Sequence, residues 1–397
     1  MRFAQLVESY ERIAATTKRL EMTDHLVALF REVPKDAIDQ VVYLTRGRVA
    51  PDYAGVELGL AEKLAIRAIA MATGQADEAV AAAWKSSGDL GTVSEELLRT
   101  KTQASLVREP LTVEKVHANL RDIATESGAG SQDRKIRLLA ELLTDAEPRE
   151  AKYIARMVVG KMRLGVADMT IVDALAAAFA SKEQRDVVER AYNVSSNLGE
   201  VARVLASKGV DGLASIRVKL FRPIRAMLAE RLETLQEIFD RLGTCGLEYK
   251  YDGLRVQAHV SKGRIELYSR QLENITEQFP EIVEGLRSSV KVEDAILEGE
   301  AVPIDPNTGE FLPFQEVSRR RGRKTDVERM AKELPVSLFA FDCLLRDGED
   351  LMMRAYEERR RALESILRET ETIRLATWKV TADARAGEAF FNEALQA

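Results

Sequence analysis

Glu248, Lys250 and Asp252 occupy alternate positions of "LEYKYDGLRV" (247–256), with Tyr249 and Tyr251 between them and a glycine following. A lysine alternating with aromatic residues is out of keeping with a solvated face. Glu248 and Lys250, two apart, would project from the same face of a strand end, and Asp252-Gly253 is a turn dipeptide from which the next strand can start. Lys250 would then stand at the mouth of a sheet, where a ligand can be held. A lysine amine titrates near ~10.4 and is a poor nucleophile unless desolvation or neighbouring cations lower that value. The two tyrosines could supply part of that desolvation. By itself the segment also reads as a surface lysine in a turn, since Lys-x-Asp-Gly should arise by chance in roughly one chain in ten of this length.

The elements that must position this lysine begin near residue 215. "ERLETLQEIFDRLG" has the spacing of a helix, after which the apolar period falls to two. Leu254, Val256, Ala258 and Val260 alternate with Arg255, Gln257 and His259, as in a half-buried strand. "SKGR" (261–264) predicts a hairpin turn and "IELYSR" (265–270) the returning strand. "AILEGEAV" (295–302) and "VSLFAFDCLL" (336–345) predict two more, the latter apolar enough to be buried on both faces. The chain ends in helical-looking "AGEAFFNEALQA". Residues 215–397 thus read as an α+β domain with a mainly antiparallel sheet.

Residues 1–214 read as all-helical. Leu60, Leu64, Ala68 and Met71 share one helical face, as do Val113, Val116, Leu120 and Ile123, and again Ile136, Leu139, Ala140 and Leu143. The breaks "VAPDYAG", "ESGAGSQD" and "DAEPRE" have turn chemistry. A length of 397 residues accommodates two or three domains, and 46% hydrophobic with 31% charged residues indicates a soluble globular class. Net charge of −6 does not exclude nucleic acid, because local clusters of Lys and Arg govern such binding. Cys245 and Cys343 make neither a disulfide framework nor a zinc site, and the three histidines are widely separated. Neither a signal peptide nor a membrane-spanning run is present, so an intracellular chain, cytoplasmic and nucleoid-associated, is expected.

After Lys250 come "YSRQLENIT", "LEGEAV" and "FAFD", each at or near the end of a strand. This order of motifs resembles the covalent-lysine nucleotidyl transferases, and most closely the ATP-dependent DNA ligases of archaeal and eukaryotic type. The resemblance extends over nearly the whole chain. "VELGLAEKLAIRAIA", "IARMVVGKMRLGVA" and "FRPIRAMLA" are similar to segments of the family's helical DNA-binding domain and its junction with the adenylation domain.

The resemblance implies roles for particular residues. Lys250 would attack the α-phosphate of ATP and keep AMP in a phosphoramide bond. Glu248 would bond the adenine amino group and Phe341 would stack on the ring. Arg255 and Arg270 would contact the nucleotide, Glu300 would lie near the ribose and Mg²⁺, with Glu298 on the same strand face, and Asp252 would orient the loop or the ribose. Such a set suits nucleotidyl transfer, which depends on positioning and on neutralising phosphate charge. Without the resemblance, Phe341 reads as core and the two arginines as solvated strand residues.

Two stretches are expected to touch DNA. "SRRRGRK" (318–324) gathers Arg319, Arg320, Arg321, Arg323 and Lys324, which otherwise form a solvated charge run. In the helical region Arg156, Lys161 and Arg163 lead into Gly165 and a helix capped by Asp168, an arrangement that can offer backbone N–H groups to phosphate. Such contacts position a duplex without reading its sequence, which suits nicked double-stranded DNA as partner. The resemblance allows a sliding clamp as a further partner and implies a monomer. The family's later Glu-Gly strand, Lys-x-Lys strand and OB-fold domain are not found before Ala397, so a truncated adenylation domain is expected. The rival readings are an RNA ligase or capping-type transferase and a non-catalytic nick-binding fragment.

Overall fold

The computed structural model describes residues 1–100, 109–320 and 326–396. The chain divides into two compact units, Met1–Arg217 and Val218–Ala397.

The first unit is built of helices whose apolar spacing follows the helical repeat. Phe3–Ala14 buries Phe3, Leu6, Val7, Tyr10 and Ile13 on one stripe. Val113–Thr125 and Ser131–Asp145 bury Val113, Val116, Leu120 and Ile123, and Ile136, Leu139, Ala140 and Leu143, as their spacing predicts. Glu62–Thr73 departs in part from expectation. Leu60 is buried ahead of the helix, where its N–H meets the Val158 carbonyl at 2.9 Å, and Met71 turns outward at 63% exposure. The helix Asp168–Phe179 is not capped by Asp168 as expected. Its N-cap is Ala167, and the Asp168 carboxylate instead accepts from Arg46 Nε at 2.8 Å and from the Tyr192 hydroxyl. With those side-chain partners, Asp168 serves helix packing rather than the helix end.

Among its described residues the second unit holds eight strands: β1 (Cys245–Glu248), β2 (Leu254–Ser261), β3 (Arg264–Ser269), β4 (Asp294–Pro303), β5 (Val336–Arg346), β6 (Glu349–Asp350), β7 (Ile373–Leu375) and β8 (Trp378–Thr381). The main sheet runs β3-β2-β4-β5-β6, antiparallel throughout, with β7 added parallel to β5. β2 and β3 are joined by a two-residue turn with positive φ at both Lys262 and Gly263, the conformation that matches the twist of a tight hairpin. β1 does not lead into the main sheet, as the turn at Asp252-Gly253 suggests. It pairs with β8 in a separate two-stranded sheet, and the short strands β7 and β8 carried too weak an alternation to be foreseen.

One face of the main sheet buries Val256, Ala258, Leu267, Leu297 and Leu338 beneath Ile282 and Leu286 of the helix Pro280–Ser289 and Leu363 and Ile366 of the helix Tyr356–Ile366. The other face carries Arg255, Gln257 and His259, and one end of it is covered by the segment around Ile224. There Ile224 packs on Ile296, Leu344 and Leu345. The His259 ring accepts from the Phe221 N–H at 2.9 Å, and Gln257 exchanges two hydrogen bonds with the Ile224 backbone. Burial lowers the His259 pKa to about 3, so the ring is neutral and fills its place as a packed acceptor. The motif residues meet toward the other end of this face, where Val302, Phe339 and Ala376 form a small cluster with Tyr251 and Phe341.

Candidate active site

Lys250 lies two residues past the end of β1 and is exposed. Pairing continues just beyond the strand, for the Tyr249 N–H donates to the Thr377 carbonyl at 3.1 Å. The tyrosine rings lie 6.2 Å apart between centres, and each makes a further aromatic contact. Tyr249 meets Phe390 at 5.1 Å between ring centres, and Tyr251 stacks on Phe339 at 4.3 Å. Together they stiffen both sides of the lysine. Asp252 accepts from the Phe314 N–H at 3.1 Å and thereby ties the loop to the start of the helix Phe314–Ser318. At Gly253 the chain passes so close to β4 that a Cβ would sit 2.5 Å from the Ala301 carbonyl, which leaves no room for a side chain.

Beside this loop, register does the assembling. Arg255 on β2 faces Glu300 on β4, and Glu300 faces Phe339 on β5. The β4–β5 ladder is irregular between Glu298 and Gly299, where Asp342 and Ala340 are the partners and Phe341 is the extra residue. A bulge of this kind re-aims a side chain. The Arg255 guanidinium lies over the Phe341 ring at 4.4 Å and forms an ion pair with buried Glu298, which also accepts from Gln257 Nε2 at 2.9 Å.

Burial pushes the Glu300 carboxyl up to about 7, although the charges of Arg255 and Lys250 pull the other way. That pull places Lys250 and Arg255 in the field of the same carboxylate. Glu248 is likewise raised, first by crowding of its carboxyl, even though much of the residue's surface is open to solvent. It accepts a hydrogen bond from Tyr356, a residue that no motif singles out. Arg270 lies one residue past β3, exposed and without an ion pair to any described residue. Lys250, Glu248, Asp252, Arg255, Glu300 and Phe341 are thus gathered at one end of the sheet.

The 248–252 segment also borders a cleft of about 740 Å³, lined by Leu235, Ile238, Leu242, Phe390 and Phe391. Among the described residues Lys250 is the only cation in its lining. Phosphate chemistry needs several positive groups, so the arginine-bearing sheet face is the better candidate site.

The basic positions divide between surface and core. Arg319 is exposed, with an ion pair to Glu316 at 2.8 Å. Arg320 is 2% exposed and cannot serve DNA as expected. Its guanidinium lies over the Phe279 ring, pairs with Glu281 and donates to the Gln278 carbonyl at 2.7 Å. Arg321, Arg323 and Lys324 lie outside the described residues. In the helical unit Arg156 is buried too, held by Asp89 and packed on Tyr153, so the expectation of a DNA contact fails for the same reason. Lys161, Arg163 and Gly165 are exposed; Lys161 pairs with Glu62 at 2.8 Å and Arg163 donates to the Gly88 carbonyl at 2.8 Å. A run of basic letters does not reveal which member finds a buried acid.

A helical unit followed by a mainly antiparallel sheet, with a lysine set among arginines, carboxylates and an aromatic ring, is the arrangement of a nucleotide-activating enzyme. Residues 2–176 match the family described as DNA ligase N terminus, and residues 226–397 match the ATP dependent DNA ligase domain. The chain is 49% identical to DNA ligase 2 of Thermofilum pendens, over 99% of this chain and 67% of that protein. It is 44% identical to DNA ligase of Cenarchaeum symbiosum, over 98% of this chain and 66% of that protein. The solved structure Pmar-Lig_Pre shares the fold at a TM-score of 0.51 and 14% identity, over 98% of this chain and 71% of that one. The chain therefore belongs to the ATP-dependent DNA ligase family, and spans about two thirds of the length of these curated relatives. No helix among the described residues is long and apolar enough to cross a membrane.

Proposed function

We propose that the chain seals nicks in duplex DNA through a lysine-bound AMP. The observation that carries this reading is the convergence of Lys250, Arg255, Glu300 and Phe341 at one end of the sheet. The neutral Lys250 amine attacks the α-phosphorus of ATP. A P–N bond forms, the bond to pyrophosphate breaks, and the amine proton passes to solvent. A 5′-phosphate oxygen at the nick then attacks the same phosphorus, breaks the P–N bond and takes the AMP. Attack by the neighbouring 3′-hydroxyl on that activated phosphate closes the strand and expels AMP.

In this reading Glu248 bonds the adenine amino group, Phe341 stacks on the ring, and Arg255 and Arg270 neutralise phosphate charge while Asp252 fixes the loop. Mg²⁺ commonly takes one or two protein carboxylates and fills its shell with water and phosphate oxygens. Glu300 fits that pattern, being a half-buried carboxylate without a salt-bridge contact among the described residues. When bound there the ion would draw charge from the phosphate oxygens. Exposed Arg319, Lys161 and Arg163, with the turn at Gly165, hold the duplex by its backbone; Arg321, Arg323 and Lys324 belong to the same proposal. The resemblance also supports action as a monomer, with a sliding clamp as a further partner and a place at the nucleoid.

Incubation with ATP labelled in the α-phosphate, followed by a denaturing gel, tests this reading. Label retained by the chain and released to the 5′ end of added nicked duplex is expected. A chain that binds the nick but takes no label would instead be a non-catalytic nick-binding protein.

A further inference from the structure

Tyr356 is the first residue of the helix Tyr356–Ile366, and its hydroxyl stands between two groups of the site. It bonds the Glu248 carboxylate and lies 3.2 Å from the Phe341 carbonyl oxygen. Its ring meets Trp378 edge-on at 6.0 Å, and Trp378 is the register partner of Glu248 across the small sheet. The phenol thus spans from β1 to β5. Gly246 borders the same ring: a Cβ there would sit 3.1 Å from the Tyr356 ring and 3.6 Å from Trp378, so the missing side chain makes room for the tyrosine.

We propose that Tyr356 is a positioning residue that sets the choice of purine by holding Glu248 as an ionised, acceptor-only carboxylate. The proposal rests on the reading that Glu248 bonds the adenine amino group. A carboxylate matches that N–H₂ donor, and it repels the carbonyl oxygen that guanine carries at the same ring position. A protonated Glu248 would donate instead, and would suit guanine. The Tyr356 hydroxyl can serve either state. With Glu248 ionised, its hydrogen turns to the carboxylate; with Glu248 protonated, the acid donates to the phenol oxygen and the phenol hydrogen turns to the Phe341 carbonyl. Burial and Asp342 push Glu248 toward the protonated form, whereas Tyr356, Arg360 and Arg255 oppose it. Without the hydroxyl, the balance moves toward the acid.

The test is self-nucleotidylation with labelled ATP and labelled GTP across a pH series, on the wild type, Tyr356→Phe, Gly246→Ala and Glu248→Gln. For Tyr356→Phe the ratio of kcat/KM for ATP over GTP should fall about tenfold, the size of one hydrogen bond to a charged group. The loss should lie more on the ATP KM than on the rate at saturation. The pH at which the ATP KM climbs on acidification should be higher than in the wild type. Gly246→Ala, which keeps the hydroxyl but crowds the ring, should move the ratio the same way. Melting curves identify a variant that has merely lost its fold, and the ratio of two nucleotides on one preparation is insensitive to the folded fraction. A Tyr356→Phe ratio equal to the wild type, with Glu248→Gln still collapsing it, would overturn the proposal alone. An unchanged ratio in Glu248→Gln would overturn the reading of Glu248 and the proposal with it.

Discussion

The Arg255 guanidinium lies 4.4 Å from the centre of the Phe341 ring while it pairs with buried Glu298, so one side chain links a cation, a carboxylate and an aromatic face. Arg255→Ala should leave Glu298 uncompensated. The cost is expected near 2 kcal/mol, below the ~3–5 kcal/mol of a fully buried pair because Arg255 is 31% exposed. Adding Glu298→Gln should recover most of that stability and none of the AMP transfer. Urea unfolding and the labelling gel read the two effects apart; recovery of transfer in the double variant would remove Arg255 from the reaction.

Lys250→Arg should abolish the labelled adduct, since a guanidinium stays protonated at any working pH and cannot attack phosphorus. Nick binding should change little. Stable labelling of the arginine variant at another lysine would refute the assignment of the nucleophile.

Burial holds the Glu300 carboxyl at about 7, above its ordinary 4.5, so the folded chain binds this proton more tightly than the unfolded one. The group's contribution is therefore complete below about 4.5 and is lost as the pH rises through about 7. Glu300→Gln carries no such loss. Between about pH 5 and about pH 8 the urea midpoint of the wild type should fall relative to the variant. A gap independent of pH would show that Glu300 titrates normally.

Arg319 and Arg320 should part company. Arg320→Ala leaves half-buried Glu281 and the Gln278 carbonyl without their partner, and should cost about 3 kcal/mol of stability. Arg319→Ala should leave the melting point within experimental scatter and lower affinity for unrelated nicked duplexes alike. Its salt slope should shrink by roughly one unit. A normal slope in Arg319→Ala would mean that this arginine is only a solvated ion pair.

The local code was legible in the letters. A repeat of 3.6 marked the helices that bury Val113, Val116, Leu120 and Ile123, and alternation marked β2, because both periods follow from backbone geometry alone, while a nearly unbroken apolar run marked β5. The motif order around Lys250 was legible only through its resemblance to the ligase family. Pairing was not. Leu247 looks like the start of the main sheet, yet β1 joins β8, more than a hundred residues away. No local signal encodes which edge a four-residue strand will meet. The fates of Arg156 and Arg320 were equally hidden, since a buried arginine and a DNA-facing one are the same letter until Asp89 or Glu281 arrives from another element. Tyr356 carried no motif, and its bond to Glu248 exists only because a helix start and a strand end converge. The sequence alone determined which elements form and which residue types they carry. The tertiary structure decided which charges are desolvated and paired, because that depends on the distance between segments remote along the chain.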